Sequence, residues 1–409
     1  MKKSLLSLTF GGLGIGITEF VMMGLLPDIA KDLGVTIPEA GHLISAYALG
    51  VVIGAPLLVA IAGKYPPKQI LIALMVMFTL FNSLSAFAPN FQILFITRLL
   101  SGLPHGAFFG VGSVVASRLA QKGKEAQAVS MMFAGLTIAN IAGVPLGTYI
   151  GHHFSWRYSF AIVAFVGIIT LVSLKSWLPT IPANKNSNLK KELSFFKGVN
   201  AWLIIGMIAI GTGGLFSWYS YIAPLMTKVS GFSEDSVTYV LILAGTGMFI
   251  GNLIGGKLAD LFSPAKAAVF MLLTMVISLI IVHFVSTNPL LSLIMTFITG
   301  AIAFALTSPI QMLMINTAKG SEMLAAAVSQ GSFNIGNALG AYFGGLPLVF
   351  HMDYSWPAMV GAVMALTGAL FAGIFIRLNK HDTYPKVSSQ GTTIKTPHPA
   401  TTETRNNPC

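Results

Sequence analysis

Stretches of about twenty apolar residues, nearly free of charge, follow one another along almost the whole chain. A helix that crosses a bilayer needs about 20 such residues. Hydrocarbon leaves no water to satisfy a loose backbone, so helices are the natural way for this sequence to span it. Twelve stretches run roughly 5–27, 42–63, 69–88, 91–117, 125–150, 157–178, 200–224, 236–259, 266–287, 290–316, 323–349 and 354–376. Only 9% of the 409 residues are charged, against about 25% in soluble domains. A soluble enzyme or binding module is therefore excluded. So is disorder over most of the length, which needs low hydrophobicity and high charge. The expected class is an all-α integral membrane protein in contact with the lipid bilayer.

The charge follows a topology. A net +11 on a soluble protein would suggest nucleic acid. Here the Lys and Arg residues sort by side, so no nucleic-acid partner is expected. With the N-terminus inside, 20 fall in inside segments, Lys31, Arg157 and Lys228 fall outside, and Arg98 lies within a span. That is a strong positive-inside signal. It places both termini in the cytoplasm and requires an even number of spans. The first stretch follows Met1-Lys2-Lys3 and is read as an uncleaved first helix, because it is long for a signal peptide and lacks a small-residue cleavage site. Residues 378–409 are rich in Thr, Pro, Asn and Ser and are expected to form a disordered cytoplasmic tail, inert or regulatory. Cys409 is the single cysteine, so no intramolecular disulfide can form.

A shift of 197 residues aligns the two halves. Pro27 falls on Pro224, Gly34 on Gly231, and Gly50 and Gly54 on Gly247 and Gly251. Lys122, Gly123 and Glu125 fall on Lys319, Gly320 and Glu322, and Asn140, Gly143 and Gly147 on Asn337, Gly340 and Gly344. Glycines agree easily by chance, but a Lys-Gly-x-Glu and an Asn in constant register do not. The offset holds six spans, so the halves share one orientation. The expected fold is two six-helix bundles, 1–178 and 200–377, related by a pseudo-two-fold axis along the membrane normal and joined by a cytoplasmic linker at 179–199. Transporters of that design hold their substrate near the midplane between the bundles. A monomer is expected, because one chain supplies both.

Four stretches carry a family likeness. The first span has Thr18-Glu19-Phe20 and then Gly24-Leu25-Leu26-Pro27-Asp28. The fourth has Arg98-Leu99-Leu100-Ser101-Gly102-Leu103-Pro104-His105-Gly106. The fifth has Gly143-Val144-Pro145-Leu146-Gly147, with Ser155-Trp156-Arg157 after it, and the eighth ends Gly256-Lys257-Leu258-Ala259-Asp260. On these residues the chain resembles the major facilitator superfamily over nearly all of 1–377. More narrowly it resembles twelve-span drug:proton antiporters and, among them, the arabinose and sugar efflux permeases. The resemblance implies a multi-pass protein of a bacterial plasma membrane that exchanges small molecules for protons. It also implies a conformational role for Gly143, Pro145, Gly147 and Asp260. The first-half loop departs from the pattern, with Gly63 where the second half has Asp260.

Glu19 and Arg98 are the clearest charges inside spans, and such charges are costly enough to be functional by default. At 1.5 Å per residue, Glu19 lies roughly 12 Å from Pro27 and Arg98 roughly 10 Å from Phe91, so they sit at similar depth. Their repeat positions are Phe216 and Met295, which confines this chemistry to the first half. Burial favours a neutral acid and a nearby arginine favours the carboxylate. Glu19 is therefore the candidate proton-coupling group; the bland reading is a static pair with Arg98 that locks helices. His105 lies two turns after Arg98 and is either a packing histidine or a proton relay.

Substrate-contact candidates are Tyr47, Asn140, Trp218, Tyr219, Gln330, Asn334 and Asn337. The amide stripe on the eleventh span otherwise makes interhelical hydrogen bonds, and the aromatics otherwise mark the membrane interface. Gly336, Gly340 and Gly344 recur every four residues and suit close helix approach during motion. The remaining histidines show no metal-ligand spacing, so neither metal nor cofactor is expected. No nucleotide-binding P-loop, His-Glu-x-x-His or Gly-x-Ser-x-Gly is present, which argues against an enzyme or a pump carrying its own ATPase. The expected function is secondary export by proton antiport with alternating access. The alternative is an uncoupled facilitator or importer of sugars or nucleosides.

Overall fold

The computed structural model describes residues 2–35, 37–62, 64–183, 193–233 and 236–379. The linker lysines 185, 190 and 191, Gly63 and the tail beyond Asn379 lie outside the described residues. Twelve long helices run through the described residues. The first bundle has α1 (Lys2–Leu33), α2 (Ile37–Ala62), α3 (Pro67–Ala86), α4 (Phe91–Leu119), α5 (Glu125–His153) and α6 (Trp156–Trp177). The second has α7 (Val199–Tyr219), α8 (Val237–Phe262), α9 (Pro264–Val285), α10 (Pro289–Thr317), α11 (Glu322–Val349) and α12 (Trp356–Leu378). Eleven of them are long and apolar enough to cross a membrane. The exception is α11, whose 28 residues carry Ser329, Gln330, Ser332, Asn334 and Asn337.

Three helices depart from the predicted spans. The first continues through Pro27 to Leu33, where Asp32 accepts from the Trp156 indole at 2.9 Å and from Arg157. The seventh does not run unbroken to residue 224. It ends at Tyr219, and a short turn at Ile222–Pro224 leads into a π-helical turn at Leu225–Val229. The tenth is interrupted at Leu306 because Pro309 offers no N–H and its ring crowds the Ala305 carbonyl.

The 197-residue offset reappears as geometry. Gly123 and Gly320 both take positive φ, 79° and 84°, and each donates its N–H to the Glu two residues on, at 3.1 and 3.0 Å. Asn90 and Asn288, one residue out of that register at 198 apart, cap α4 and α10 alike, accepting from Ile93 and Leu291 at 3.0 and 3.1 Å. Gly50 and Gly54 bring α2 onto the Leu99 and Leu103 carbonyls of α4, as Gly247 and Gly251 bring α8 onto Phe297 and Ala301 of α10. Small residues let helix backbones approach closely where lipid supplies no hydrophobic drive.

The bundles meet where α5 packs on α8 and where α11 packs on α2 and α4. The seam is not uniform. On the face where α1 begins and α12 ends, the termini face, the core of the first bundle takes in Ala259, Met312, Ile315 and Leu324 of the second. On the opposite face the second bundle keeps its own core around Trp218, Leu279 and Ala362. The molecule is thus glued shut at the termini face and parted at the other.

Candidate functional site

Between the bundles, midway along the helices, lies a chamber of ≈ 60 Å³. Glu19 and Phe20 enter it from α1, His105 and Phe109 from α4, and Phe133 from α5. Thr212 and Phe216 come from α7, Phe304 and Thr307 from α10, and Gln330, Phe333, Asn334 and Asn337 from α11. A wider vestibule of ≈ 540 Å³ opens above it toward the opposite face. Asn140, Pro145, Thr148, Tyr149, His152, Tyr219 and Thr238 line the vestibule. Phe20, Phe216 and Asn337 border both spaces and form the neck between them.

Arg98 stands behind the chamber wall and is fully buried. Its Nη1 donates to the Thr18 carbonyl at 3.1 Å and the Thr18 hydroxyl at 3.0 Å. The Thr18 hydroxyl in turn donates to Asn82 Oδ1 at 2.6 Å, and Asn82 donates to the Phe78 carbonyl at 2.8 Å. The guanidinium lies 4.3 Å from the centre of the Tyr47 ring and 5.7 Å from that of Phe160, a cation–π arrangement suited to a desolvated charge. Its Nε and Nη2 have no hydrogen-bond partner. Among the described residues Arg98 forms no ion pair with Glu19, although Thr18 and Glu19 adjoin in the chain. Tyr47 continues the chain of contacts, its hydroxyl 3.1 Å from His105 Nδ1. Arg98, Tyr47 and His105 thus form one buried line that reaches the chamber from α4 and α2.

The amides of α11 divide. Gln330 donates to Gln311 Oε1 at 3.0 Å, and Ser329 donates to the same oxygen at 2.7 Å. Asn334 donates to the Gln330 carbonyl at 3.2 Å. Both face the chamber while also tying α11 to α10 or to itself. Asn140 donates to the Leu136 carbonyl at 3.3 Å and faces the vestibule with Tyr219. Trp218 faces neither space. It is buried against the second core with its indole N–H unpartnered, because α7 turns that side toward α9 and α12.

The glycine stripes mark contacts. Gly336, Gly340 and Gly344 lie on Thr212, Gly213 and Ser217 of α7. Gly143 and Gly147 lie on Ile17 and Val21 of α1. Asp260, at the end of α8, accepts from the Ala126 and Gln127 N–H groups at 2.8 and 3.0 Å. A helix start offers free N–H groups and a partial positive charge, so a carboxylate from the other bundle caps α5. Nearby, Ser130 donates to the Asn252 carbonyl at 2.9 Å, and Asn252 donates back to the Ser130 carbonyl at 2.8 Å.

Sequence reading missed the phenylalanines of the chamber, which look like ordinary apolar spans. It also missed the π-helical turns at Ala139–Gly143 and Met207–Thr212. Such turns gather at functional positions; these two carry Asn140 to the vestibule and Thr212 to the chamber.

Two helical bundles with a chamber at mid-depth, open to one face and sealed at the other, define a membrane transporter. The sequence model of the Major Facilitator Superfamily matches residues 8–316 and 216–408, and the chain belongs to that family. It is 43% identical to the inner membrane transport protein YdhP of Escherichia coli (strain K12), over 88% of this chain and 92% of that one. It is 29% identical to the chloramphenicol resistance protein of Streptomyces lividans, over 80% and 84%. The fold matches the fucose:proton symporter FucP of E. coli with a TM-score of 0.73 at 14% identity, over 91% of this chain and 98% of that one. The protein is a transporter and not an enzyme.

Proposed function

We propose that the protein exports small, largely apolar molecules in exchange for protons, with Glu19 as the proton-coupling group. The observation that carries this reading is the separation of two charges in one buried wall. Arg98 is held by Thr18 with two nitrogens unsatisfied, while Glu19 faces the chamber without an ionic partner. A carboxylate in a phenylalanine-rich wall, within reach of the Arg98 charge but with no ion pair to it among the described residues, is costly, and the neutral acid relieves that cost. When the bundles rock and the chamber opens to the termini face, Glu19 approaches the idle nitrogens of Arg98 and releases its proton there. Substrate and proton then occupy the acid in turn. His105 and Tyr47 join Arg98 to the chamber in this scheme, and the neck of Phe20, Phe216 and Asn337 admits the solute.

The chamber's chemistry suits flat, neutral or cationic compounds, because one acid and several amides stand among aromatic rings. The resistance protein among its relatives fits that class. With the termini face in the cytoplasm, Asp260 latches the cytoplasmic end, and the vestibule opens outward. The protein then works as a monomer in a bacterial inner membrane, with residues 1–178 and 200–377 as its two moving bodies.

The test is proteoliposomes loaded with a pH-sensitive dye and offered amphipathic drugs, sugars and nucleosides, wild type beside Glu19→Gln. Proton flux that depends on one compound and is lost in Glu19→Gln is expected. A compound that moves without proton flux, equally in both proteins, would make this a facilitator and Glu19 structural.

A further inference from the structure

A third hollow, of ≈ 370 Å³, lies outside the transport path, at the seam where α11 meets α2. Val52 and Pro56 of α2 form one wall and Val328 and Ile335 of α11 another. Phe196, just before α7, and Trp202, in the first turn of α7, close the third side. Trp202 is 60% exposed, so the hollow opens sideways rather than into the chamber.

Among the described residues its walls offer no free polar side-chain atom. The Trp202 indole donates to the Phe196 carbonyl at 2.7 Å, and the Ser332 hydroxyl donates to the Val328 carbonyl at 2.9 Å. A polar solute would lose its water there and gain nothing. A hydrocarbon chain loses nothing. The helices also leave it room, since a Cβ placed on Gly331 would meet nothing nearer than the Val52 backbone at 3.7 Å.

One end of the hollow is basic. Lys197 adjoins Phe196, Lys319 lies just before α11, and Lys64 lies just after α2. All three are exposed, and all three sit at the termini face, where α2 ends and α7 and α11 begin. Among the described residues the acid at this rim is Glu322, which accepts from the Gly320 N–H, so three cations stand against one carboxylate. A dry groove that ends in cations matches a chain that ends in a phosphate.

We propose that this hollow binds one acyl chain of an anionic phospholipid, with its phosphate on the rim of Lys64, Lys197 and Lys319. The bound lipid wedges the α2–α11 seam and so favours the conformation closed at the termini face. This site is independent of the solute and of the role of Glu19.

Trp202 reports on it. The full chain is reconstituted in phosphatidylcholine with a small, equal fraction of bromine-labelled phosphatidylglycerol or bromine-labelled phosphatidylcholine. The Trp202→Phe protein is the blank for the other tryptophans. The expected result is several-fold stronger quenching of Trp202 by the anionic lipid, reversed by unlabelled phosphatidylglycerol. Lys197→Gln and Lys319→Gln should each weaken that preference about fivefold, and Gly331→Leu, which fills the hollow, should abolish it. Equal quenching by the two lipids, untouched by these substitutions, would overturn the proposal and leave ordinary lipid contact. Protection of Trp202 by a transported compound, and not by unlabelled phosphatidylglycerol, would overturn it in favour of a sideways path for solute.

Discussion

The Asp260 carboxylate accepts the Ala126 N–H at 2.8 Å, so the last turn of α8 in one bundle caps the first turn of α5 in the other. The contact spans 134 residues of chain and lies on the face that is sealed. Its loss has a direction. A hydrogen bond to a charged group contributes about 1.5–3 kcal/mol, reduced here to roughly 1–2 by partial exposure to water. Asp260→Ala should therefore shift the balance toward opening at the termini face by about tenfold. Spin labels at Lys122→Cys and Leu261→Cys, in a Cys409→Ser background, would read this as a longer second distance population. An unchanged distance distribution would count against a latch.

Thr18 serves Arg98 and Asn82 at once. Thr18→Val keeps the volume and removes both side-chain bonds, while the Thr18 carbonyl remains for Arg98. Buried groups left unpaired cost about 1–3 kcal/mol each. The expected outcome is a thermal midpoint several degrees lower with the fold kept. Thr18→Ser, which retains the hydroxyl, should recover most of it. Thermal unfolding in detergent checks both.

Tyr47 and His105 should behave as a coupled pair. Tyr47→Phe keeps the ring over Arg98 but removes the hydroxyl 3.1 Å from Nδ1. Groups in one hydrogen-bond network show non-additive effects of 0.5–3 kcal/mol. Transport by Tyr47→Phe, His105→Gln and the double variant should show such non-additivity. Simple addition of the two losses would separate His105 from the Arg98 line.

Phe20, Phe216 and Asn337 border both spaces, so the width of the neck should select solutes by size. Phe216→Ala enlarges the opening between chamber and vestibule and should admit bulkier compounds, raising their transport relative to small ones. Competition assays with a homologous series of increasing size test this. An unchanged ranking would place the filter elsewhere.

Close glycine contacts should rank the cost of substitution. A Cβ at Gly251 would collide with the Ala301 carbonyl, whereas Gly373 has nothing within 4 Å. Overpacking costs about 1–3 kcal/mol, and a change at an open surface position stays within about 0.5 kcal/mol. Gly251→Ala should lower the thermal midpoint, and Gly373→Ala should leave it unchanged.

The number and order of the helices were legible because they rest on hydrophobic length and on an internal repeat. Gly123 and Gly320 show why: the same turn needs the same left-handed residue in both halves. Glu19 stood out because a carboxylate within a span has few innocent explanations. The phenylalanines of the chamber did not, since an apolar side chain facing a cavity and one facing lipid read alike. Trp218 and Tyr219 are neighbours in sequence, yet only Tyr219 reaches the vestibule. That difference depends on the phase of α7, which the π-helical turn at Met207–Thr212 resets. No local pattern marks such a turn. The meeting of Asp260 with α5 was equally hidden, because it pairs residues from opposite halves.

The polarity of α11 bears on how the protein is made. Helices enter the bilayer from the translocon according to their summed transfer energies, and α11 is the one helix that falls short in apolarity among those described. Gln330 finds its partner on α10, and Gly340 and Gly344 find theirs on α7. The eleventh segment is thus a poor independent insertion signal and gains its place from helices synthesised before it. Insertion of the second half is expected to be cooperative for that reason: the same amides that line the chamber should delay commitment of their own helix to the membrane until its neighbours can receive it.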